Sequence, residues 1–270
     1  MKKRQLFTLL VFVIISLTGC SSITDNDEIV NPNIPVDQPL LSKVTKITPT
    51  DSLTMSYAYD GYRLKSVTWS TGYIEVYIYD GNRIQKKEGY KNNILADTKT
   101  YNYTADKLSS IVEQEHSGQW KTIVTQFSYN TNGQIGYVQT YSRLIYGQMT
   151  LETTYTGNIF LTDSNVSKVE YTVSYGNVSK SGFTSYSYDS SNNPFKNIVG
   201  FENLIQVAAN SAAIYSGNNI AVSKNSEITD YGKVTYDYNS KNFPVKSVRS
   251  VHDGNNQPTG VTVVNIFEYK

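Results

Sequence analysis

One short motif dominates the pattern of apolar and polar positions along this chain. In Tyr57-Ala58-Tyr59-Asp60-Gly61-Tyr62-Arg63-Leu64-Lys65-Ser66-Val67, two aromatic residues at i and i+2 precede a turn and then an aliphatic segment. Residues i and i+2 of a strand point to the same face, so Tyr57 and Tyr59 project together. The Asp60-Gly61 dipeptide supplies positive φ and local hydrogen bonds, which reverse the chain. One copy of the motif therefore predicts a β-hairpin.

The motif recurs along most of the chain. Later copies are Tyr77-Ile78-Tyr79-Asp80, Tyr101-Asn102-Tyr103, Phe127-Ser128-Tyr129, Tyr186-Ser187-Tyr188-Asp189 and Tyr236-Asp237-Tyr238, and Phe267-Glu268-Tyr269 is the front half of another. The first copies begin 20, 24 and 26 residues apart, a length that suits two strands and two turns. A lone hairpin cannot bury its apolar face, so the units are predicted to stack edge to edge in one antiparallel all-β sheet.

The period breaks between residues 193 and 230. There, Phe201, Leu204, Ile205 and Ala208 follow the i, i+3, i+4, i+7 spacing of a helical stripe. We therefore expect one short helix near 200–210 that covers an opening or an edge of the sheet.

The long gap between Phe127 and Tyr186 is expected to hold further hairpins. Residues 137–145 and 148–155 predict one hairpin with its turn at Tyr146-Gly147, and 166–175 with 180–188 predict the next, with its turn at Gly176-Asn177. The segment 153–158 looks like a degenerate copy of the motif that keeps one aromatic residue and the turn residues.

Residues 1–19 are predicted to form a signal peptide. A basic start, Lys2-Lys3-Arg4, leads into an apolar stretch at 6–17 that is short for a permanent membrane span. The stretch ends in Leu17-Thr18-Gly19-Cys20, which resembles a bacterial lipobox, where the cysteine is lipidated and becomes the mature N-terminus. Cys20 is the only cysteine in the sequence, so neither thiol catalysis nor a disulfide is expected. An ordinary secretory signal with an incidental cysteine is the alternative.

Residues 20–43 are predicted to be the lipidated N-terminus and a flexible tether, and residues 44–270 a single β-repeat domain. Three prolines keep the tether extended: Pro32, Pro35 and Pro39. The acidic residues at 25–28 resemble the surface-export signal of Bacteroidetes-type lipoproteins, and a solvated spacer is the alternative reading.

Charge and composition narrow the classes of partner. The chain has 23 tyrosines, 17% charged residues and a net charge of +1. No basic cluster interleaves with the tyrosines, so nucleic acid is a poor partner. His116 and His252 are far apart in the sequence, and no zinc, Walker or dinucleotide motif is present. We therefore expect no cofactor, no metal site and no nucleic acid.

Two resemblances follow from these residues. The Tyr-x-Tyr-Asp units resemble the YD repeats of Rhs-type and teneurin-type proteins, in which many more copies coil into a closed β-shell around cargo. The lipobox, the loose YD hairpins and three further segments are similar to a family of Bacteroidales lipoproteins of unknown function with a porin-like β fold; these segments are Asn193-Pro194-Phe195-Lys196, Ser223-Lys224-Asn225 and Phe243-Pro244-Val245-Lys246. This second resemblance covers residues 44–270. It implies a rolled or barrel-like antiparallel sheet, not a pore, and it supplies no catalytic residues.

The predicted architecture is thus all-β: one rolled or barrel-like sheet of a dozen or more strands, built from hairpin repeats, with one short helix. An open, strongly twisted single sheet is the alternative.

Recurring carboxylates and aromatic rings are the candidate site residues. Two aspartates of the motif could form a glycosidase pair about 5–5.5 Å apart. Recurrence in every unit instead favours turn chemistry for Asp60, Asp80, Asp189 and Asp237, and no Gly-x-Ser-x-Gly elbow is present. The tyrosine rows are predicted to fill the inner face of the sheet. Trp69 and Trp120 stand outside the repeat position and are the candidates for stacking on a ligand.

The expected function is a non-enzymatic, lipid-anchored protein of the outer membrane, on its periplasmic or surface face, that binds a glycan or another envelope protein. A purely structural or assembly role is the first alternative. A carboxylate-dependent hydrolase is the second, and it would need two facing acids in one cleft.

Overall fold

Sixteen antiparallel strands form a closed barrel in the computed structural model, which describes residues 38–116, 121–208, 211–214, 216–260 and 262–270. The strands in chain order are β1 Leu41–Ile47, β2 Ser52–Asp60, β3 Arg63–Trp69, β4 Tyr73–Asp80, β5 Arg83–Lys91, β6 Ile94–Thr104, β7 Lys107–Glu115, β8 Lys121–Tyr129, β9 Ile135–Ile145, β10 Gln148–Thr162, β11 Asn165–Tyr175, β12 Val178–Tyr188, β13 Ile205–Ala208, β14 Ser211–Ile214, β15 Ile220–Asn225, β16 Tyr231–Tyr238, β17 Pro244–His252 and β18 Val263–Tyr269.

Neighbouring strands in the barrel are mostly neighbours in sequence. β13 and β14 form a separate hairpin, so β12 pairs directly with β15. β1 closes the barrel by pairing with β18, and backbone hydrogen bonds join Leu40 and Lys270 in both directions. The prediction of a rolled antiparallel sheet of a dozen or more strands is confirmed, and the open-sheet alternative is wrong. The predicted signal peptide and Cys20 lie outside the described residues, and β1 begins within the last residues of the predicted tether.

The tyrosine pairs point into the barrel, as predicted. Cross-strand partners share a face, and Tyr57 lies opposite Val67 just as Tyr101 lies opposite Ile111. Val67, Tyr101 and Ile111 are each at most 2% exposed and belong to one apolar cluster inside the barrel. The turns between paired strands use positive φ where the sequence predicts it, at +55° for Gly61 and +57° for Gly81.

In four copies, the second tyrosine of the motif joins its hairpin to the previous one. In several copies it lies opposite an extra residue of its partner strand, as at Tyr59 and Tyr103. Its hydroxyl donates to a backbone carbonyl about one repeat upstream: Tyr59 to Leu41 (2.7 Å), Tyr103 to Ile84 (2.9 Å), Tyr129 to Leu108 (2.8 Å) and Tyr269 to Pro244 (2.8 Å). The motif therefore encodes both a hairpin and its attachment to the neighbouring hairpin.

The described residues of the segment 189–219, between β12 and β15, fill part of the barrel interior. We call these residues the plug. Ile198, Phe201 and Leu204 are at most 2% exposed, and they belong to the same cluster as the inward residues of the strands. The Phe201 ring lies 6.0 Å from that of Tyr77 and 5.9 Å from that of Phe195. The plug thus completes the core that the barrel wall alone would leave open.

The helix expected near 200–210 is only one 3-10 turn, Phe201–Asn203. The chain then continues into the β13–β14 hairpin. The helical spacing of Phe201, Leu204 and Ile205 does mark buried residues, but they pack against a concave inner wall without forming an α-helix. Among the described residues, no helix has the length and apolarity needed to cross a membrane.

The degenerate copy predicted at 153–158 is wrong, because β10 runs straight through it. The strand continues to Thr162, and the turn comes at Asp163-Ser164, where both residues have positive φ. Gly157 lies between Tyr137 and Tyr171 on the neighbouring strands. A Cβ at Gly157 would lie 3.0 Å from the Tyr137 ring and only 1.8 Å from the Glu170 carbonyl oxygen. This glycine therefore marks close approach of a ring and a backbone, not a turn. The hairpin turns predicted at 146–147 and 176–177 are confirmed.

The outward face of the barrel is rich in polar side chains. Ion pairs lie along it, including Lys43–Glu268 (2.8 Å) and Lys86–Glu88 (2.7 Å). The Lys86 ammonium and the Tyr90 hydroxyl both donate to Glu88, and these hydrogen bonds lower the pKa of its carboxyl. The outer face is therefore mixed, because these charged and hydroxyl-bearing side chains stand among exposed apolar residues such as Ile78, Val138 and Phe183.

Candidate functional site

A knot of polar side chains fixes the plug where it leaves and re-enters the barrel wall. Asp189 follows β12, and its Oδ1 accepts hydrogen bonds from the backbone N–H groups of Ser191 (3.0 Å) and Asn219 (3.2 Å). Its Oδ2 accepts from the Tyr238 hydroxyl. Burial and this carboxylate both raise the pKa of Tyr238. The knot positions the plug beside β15 and β16, and so shapes the space next to it.

A cavity of about 710 Å³ lies in the lumen between the plug and the strands β12 and β15–β18. We call it the lumen cavity. Aromatic rings line it from both the strands and the plug: Tyr186, Tyr236, Phe267 and Phe195. Side-chain amides and hydroxyls stand between the rings, and Asn265 donates to the Ser247 hydroxyl over 3.0 Å. Apolar rings with a few fixed polar groups are the usual composition of a small-molecule site, and the volume lies in the usual range.

The rings of the lumen cavity are held by the barrel's own hydrogen bonds. The Tyr236 hydroxyl donates to the Ile220 carbonyl over 3.0 Å, and its ring stacks with that of Tyr238 at 5.9 Å. Burial raises the pKa of Tyr236, so its phenol stays protonated at neutral pH. Asn225 donates to the Thr184 hydroxyl over 3.2 Å. The cavity walls are thus preorganised.

Arg249 of β17 supplies the positive charge of the lumen cavity. Its register partners Val234 and Val263 place it on the inward face, and its side chain is exposed to the open lumen. Asp230, directly before β16, is the carboxylate among the lining residues. No ion pair joins the two side chains in the described part of the chain.

The opposite wall of the lumen carries charges that are paired. Lys87 contacts Glu75, and Lys99 contacts Glu113 at 2.9 Å, with side chains only 13–27% exposed. The Tyr73 hydroxyl donates to Asp97 over 2.5 Å, and burial raises the pKa of Tyr73 with this carboxylate adding to the effect. These groups satisfy one another, so this wall offers fewer free groups to a ligand.

Two further concavities are less suited to a ligand. A groove of about 1350 Å³ crosses the outer face over β7–β12 and is lined by hydroxyls, amides and the exposed Phe183 ring. It is bounded by the barrel wall alone. A smaller cavity of about 440 Å³ lies beside the plug and contains Glu202, whose pKa is raised by burial. Its other carboxylate, Asp106, pairs with Arg83 and has a side chain 91% exposed.

The aspartates of the motif do not converge in one cleft. Asp60 and Asp80 end their strands beside turns, as the turn interpretation expects. Asp237 is exposed on the outer face within β16 and not in a turn, and Asp189 belongs to the polar knot. Only Asp189 therefore has a partner set that depends on tertiary structure.

The structure describes one of the two tryptophans predicted to stack on a ligand. Trp69 ends β3 on the inward face, opposite Met55, and its ring lies 6.3 Å from that of Tyr73. The Trp69 indole N–H has no hydrogen-bond partner among the described residues. Trp69 is not among the residues that line the lumen cavity, so ligand stacking on it stays a prediction. Trp120 lies outside the described residues.

Sequence reasoning missed Arg249 because the apolar residues of β17 do not alternate. Val245, Val248 and Val251 recur every third position, and an extra residue opposite Tyr238 shifts the register. Counting in twos from the buried Ser247 is the signal that would have placed Arg249 inside.

The fold is similar to that of solved porin-like proteins. A porin-like protein from Bacteroides vulgatus ATCC 8482 matches with a TM-score of 0.57 and 12% identity, over 86% of this chain and 99% of that one. A porin-like protein from Bacteroides uniformis ATCC 8492 matches with a TM-score of 0.39 and 13% identity, over 85% of this chain and 98% of that one. No protein-family profile and no curated protein sequence matches the chain. At this identity, the first likeness shows the fold alone.

Proposed function

We propose that this protein is a non-enzymatic binding barrel of the bacterial envelope, held at the outer membrane by lipid on Cys20, that takes a glycan into its lumen cavity. The observation that carries the binding function is the lumen cavity itself. Aromatic faces suit the apolar faces of sugar rings, and neighbouring amides and hydroxyls suit their hydroxyl groups. The porin-like likeness fits an envelope protein.

The polar outer wall supports a barrel that is tethered and not inserted in the bilayer. A transmembrane barrel presents an apolar band about 25 Å tall to lipid. Here the outward side chains include the Lys43–Glu268 and Lys86–Glu88 pairs. Charges facing lipid at mid-membrane cost about 2–4 kcal/mol each for lysine, so this wall favours water. The anchor of the molecule is then the lipid alone.

Replacing residues 1–20 by an ordinary cleavable secretory signal tests the tether. We expect this variant to leave the membrane fraction as a folded protein that needs no detergent, while the natural sequence stays with the membrane. Retention of the variant in membranes after washing with concentrated salt at neutral pH would contradict the tethered barrel.

Filling the lumen cavity tests the binding function. Val234 is half-buried on β16 and lines the cavity, whereas Val248 is half-buried on β17 and faces outward opposite Thr235. We expect Val234→Trp to weaken binding of any oligosaccharide found in a calorimetric screen at least about tenfold. Val248→Trp adds the same bulk outside and should leave affinity unchanged.

Two outcomes would remove the proposal. One is a screen in which no oligosaccharide class produces heat or alters tryptophan fluorescence. The other is equal loss of affinity in both variants. In either case the structural or assembly role becomes the better account, and cross-linked pull-down of a partner from native envelopes would support it. Trp69 and Trp120 stay candidates for stacking, and their fluorescence reports on ligand approach.

A further inference from the structure

Arg249 differs from Lys87 and Lys99 on the opposite wall, which are both ion-paired, because it has no partner of its own. No acceptor lies within hydrogen-bond or ion-pair distance of its guanidinium among the described residues. By contrast, Lys99 on the far wall contacts Glu113 at 2.9 Å. An unpaired guanidinium in the lumen is a strong local source of positive potential, because low-dielectric walls reduce screening.

Gly232 makes room for this guanidinium against the wall. It lies next to Val234 on β16, on the same inward face as Arg249. A Cβ at Gly232 would lie 3.4 Å from both Nε and Nη2 of Arg249 and 2.8 Å from the Ser223 hydroxyl. The missing side chain therefore lets the guanidinium and the Ser223 hydroxyl lie close together at one point of the wall.

We propose that the lumen cavity selects a glycan that carries a carboxylate, a uronic-acid residue, and that Arg249 is the residue that recognises it. This inference rests on the proposed function. The planar fork of arginine matches the two oxygens of a carboxylate, and such bidentate hydrogen bonds are stronger than neutral ones. The sugar ring carrying the carboxylate then lies against the aromatic residues Tyr236 and Phe267, which line the same cavity.

Asp230 sets a second condition on the ligand. Its carboxylate lines the same cavity, so it repels a negative group placed near the start of β16. A ligand with one carboxylate next to Arg249 and neutral sugar rings elsewhere avoids this repulsion. Selection therefore depends on where the charge lies as well as on its sign.

Trisaccharides of galacturonate, mannuronate and guluronate, each with its methyl ester, are the probes. Methyl esters keep the sugar and remove the charge. We expect the full-length protein to bind at least one acid at least about tenfold more tightly than its ester, the size of one charge-assisted interaction. Arg249→Gln should remove this preference, and Arg249→Lys should restore part of it, because the charge returns without the fork. Lys246→Gln removes an exposed cation from the same strand and should change nothing.

Each outcome decides between the two proposals. Equal affinity for acid and ester, or a preference that survives in Arg249→Gln, overturns the role of Arg249 and leaves glycan binding standing. Binding of neutral trisaccharides with no binding of any uronate does the same. Absence of binding by every sugar, charged or neutral, overturns the proposed function itself. Thermal melts of all variants verify that the barrel stays folded.

Discussion

Two walls of the lumen are built from the same motif but differ in which polar side chains find hydrogen-bond partners within the repeat. On the repeat wall, β2–β9, hairpins follow one another without insertion, and the Tyr103 and Tyr129 hydroxyls bond carbonyls of the previous hairpins. On the insertion wall, β12 and β15–β18, the plug separates β12 from β15. There the second tyrosine, Tyr188, also accepts a hydrogen bond from Ser216 of the plug over 3.1 Å.

The difference shows where a repeat architecture acquires a site. In a regular repeat, the polar groups of one copy form hydrogen bonds with the neighbouring copy, so few of them remain for a ligand. Where a copy is displaced by an insertion, the chain must supply other partners, and the space beside them stays open. Asp189 becomes a fixed acceptor there, while Arg249 keeps an open donor set.

Alkaline pH should give the largest effect and act on both walls. Burial raises the pKa of the inward tyrosines above the ordinary value near 10, and for Tyr103 raises it to about 12. Above pH 10 the unfolded chain loses phenol protons that the folded barrel keeps, so the free energy of unfolding falls as pH rises. We expect urea midpoints to be flat up to about pH 9 and to fall steeply above pH 10.

A single substitution isolates the contribution of one buried tyrosine to this loss of stability at alkaline pH. Tyr103→Phe removes one phenol from the repeat wall, so its stability should fall less steeply than that of the natural protein between about pH 10 and 12. The difference between the two curves is the measurement. Identical slopes would show that this phenol titrates alike in the folded and unfolded chains.

Two aspartates at the same position of the motif should have very different importance. Asp189→Ala leaves the Ser191 and Asn219 N–H groups and the Tyr238 hydroxyl without their acceptor, which should cost about 3 kcal/mol of stability. Asp80→Ala changes an exposed residue at a strand end of the repeat wall and should cost less than about 0.5 kcal/mol. Urea unfolding of both variants measures the contrast, and equal losses would remove the distinction between the walls.

The sequence predicts the repeat wall better than the insertion wall for a physical reason. Hairpins obey local rules: period-two alternation places Tyr57 and Tyr59 inside, and Gly61 supplies positive φ for the turn. The conformation of the plug depends instead on its tertiary contacts with the barrel wall. The apolar spacing from Phe201 to Ala208 predicted a helix, yet the chain forms a 3-10 turn at Phe201–Asn203 and then the β13–β14 hairpin. Arg249 was missed because its strand shifts register at Tyr238.

Removing one inter-hairpin hydroxyl should have a smaller effect. Tyr129→Phe deletes the hydrogen bond to the Leu108 carbonyl and leaves this acceptor without its partner in the adjacent strand, at a cost of about 1 kcal/mol. Tyr155→Phe is the matched control on β10, since the Tyr155 ring contacts Tyr141 and its hydroxyl makes no hydrogen bond with the described residues. If both variants unfold at the same urea concentration, the hydroxyl bridges do not stabilise the barrel.

The smallest expected effect is the difference in coupling energy between an ion pair inside the barrel and one on its outer face. The Lys99–Glu113 pair is 2.9 Å apart and its side chains are 15% and 27% exposed, whereas Lys43–Glu268 on the outer face is 40% and 52% exposed. Double-mutant cycles with Lys→Met and Glu→Gln should give a coupling of about 1 kcal/mol inside and at most about 0.5 kcal/mol outside. Salt should weaken the outer pair more, because water screens it. Equal couplings would mean that the lumen beside the repeat wall is as wet as the outer surface, and the cavity beside Arg249 would then have no electrostatic advantage over it.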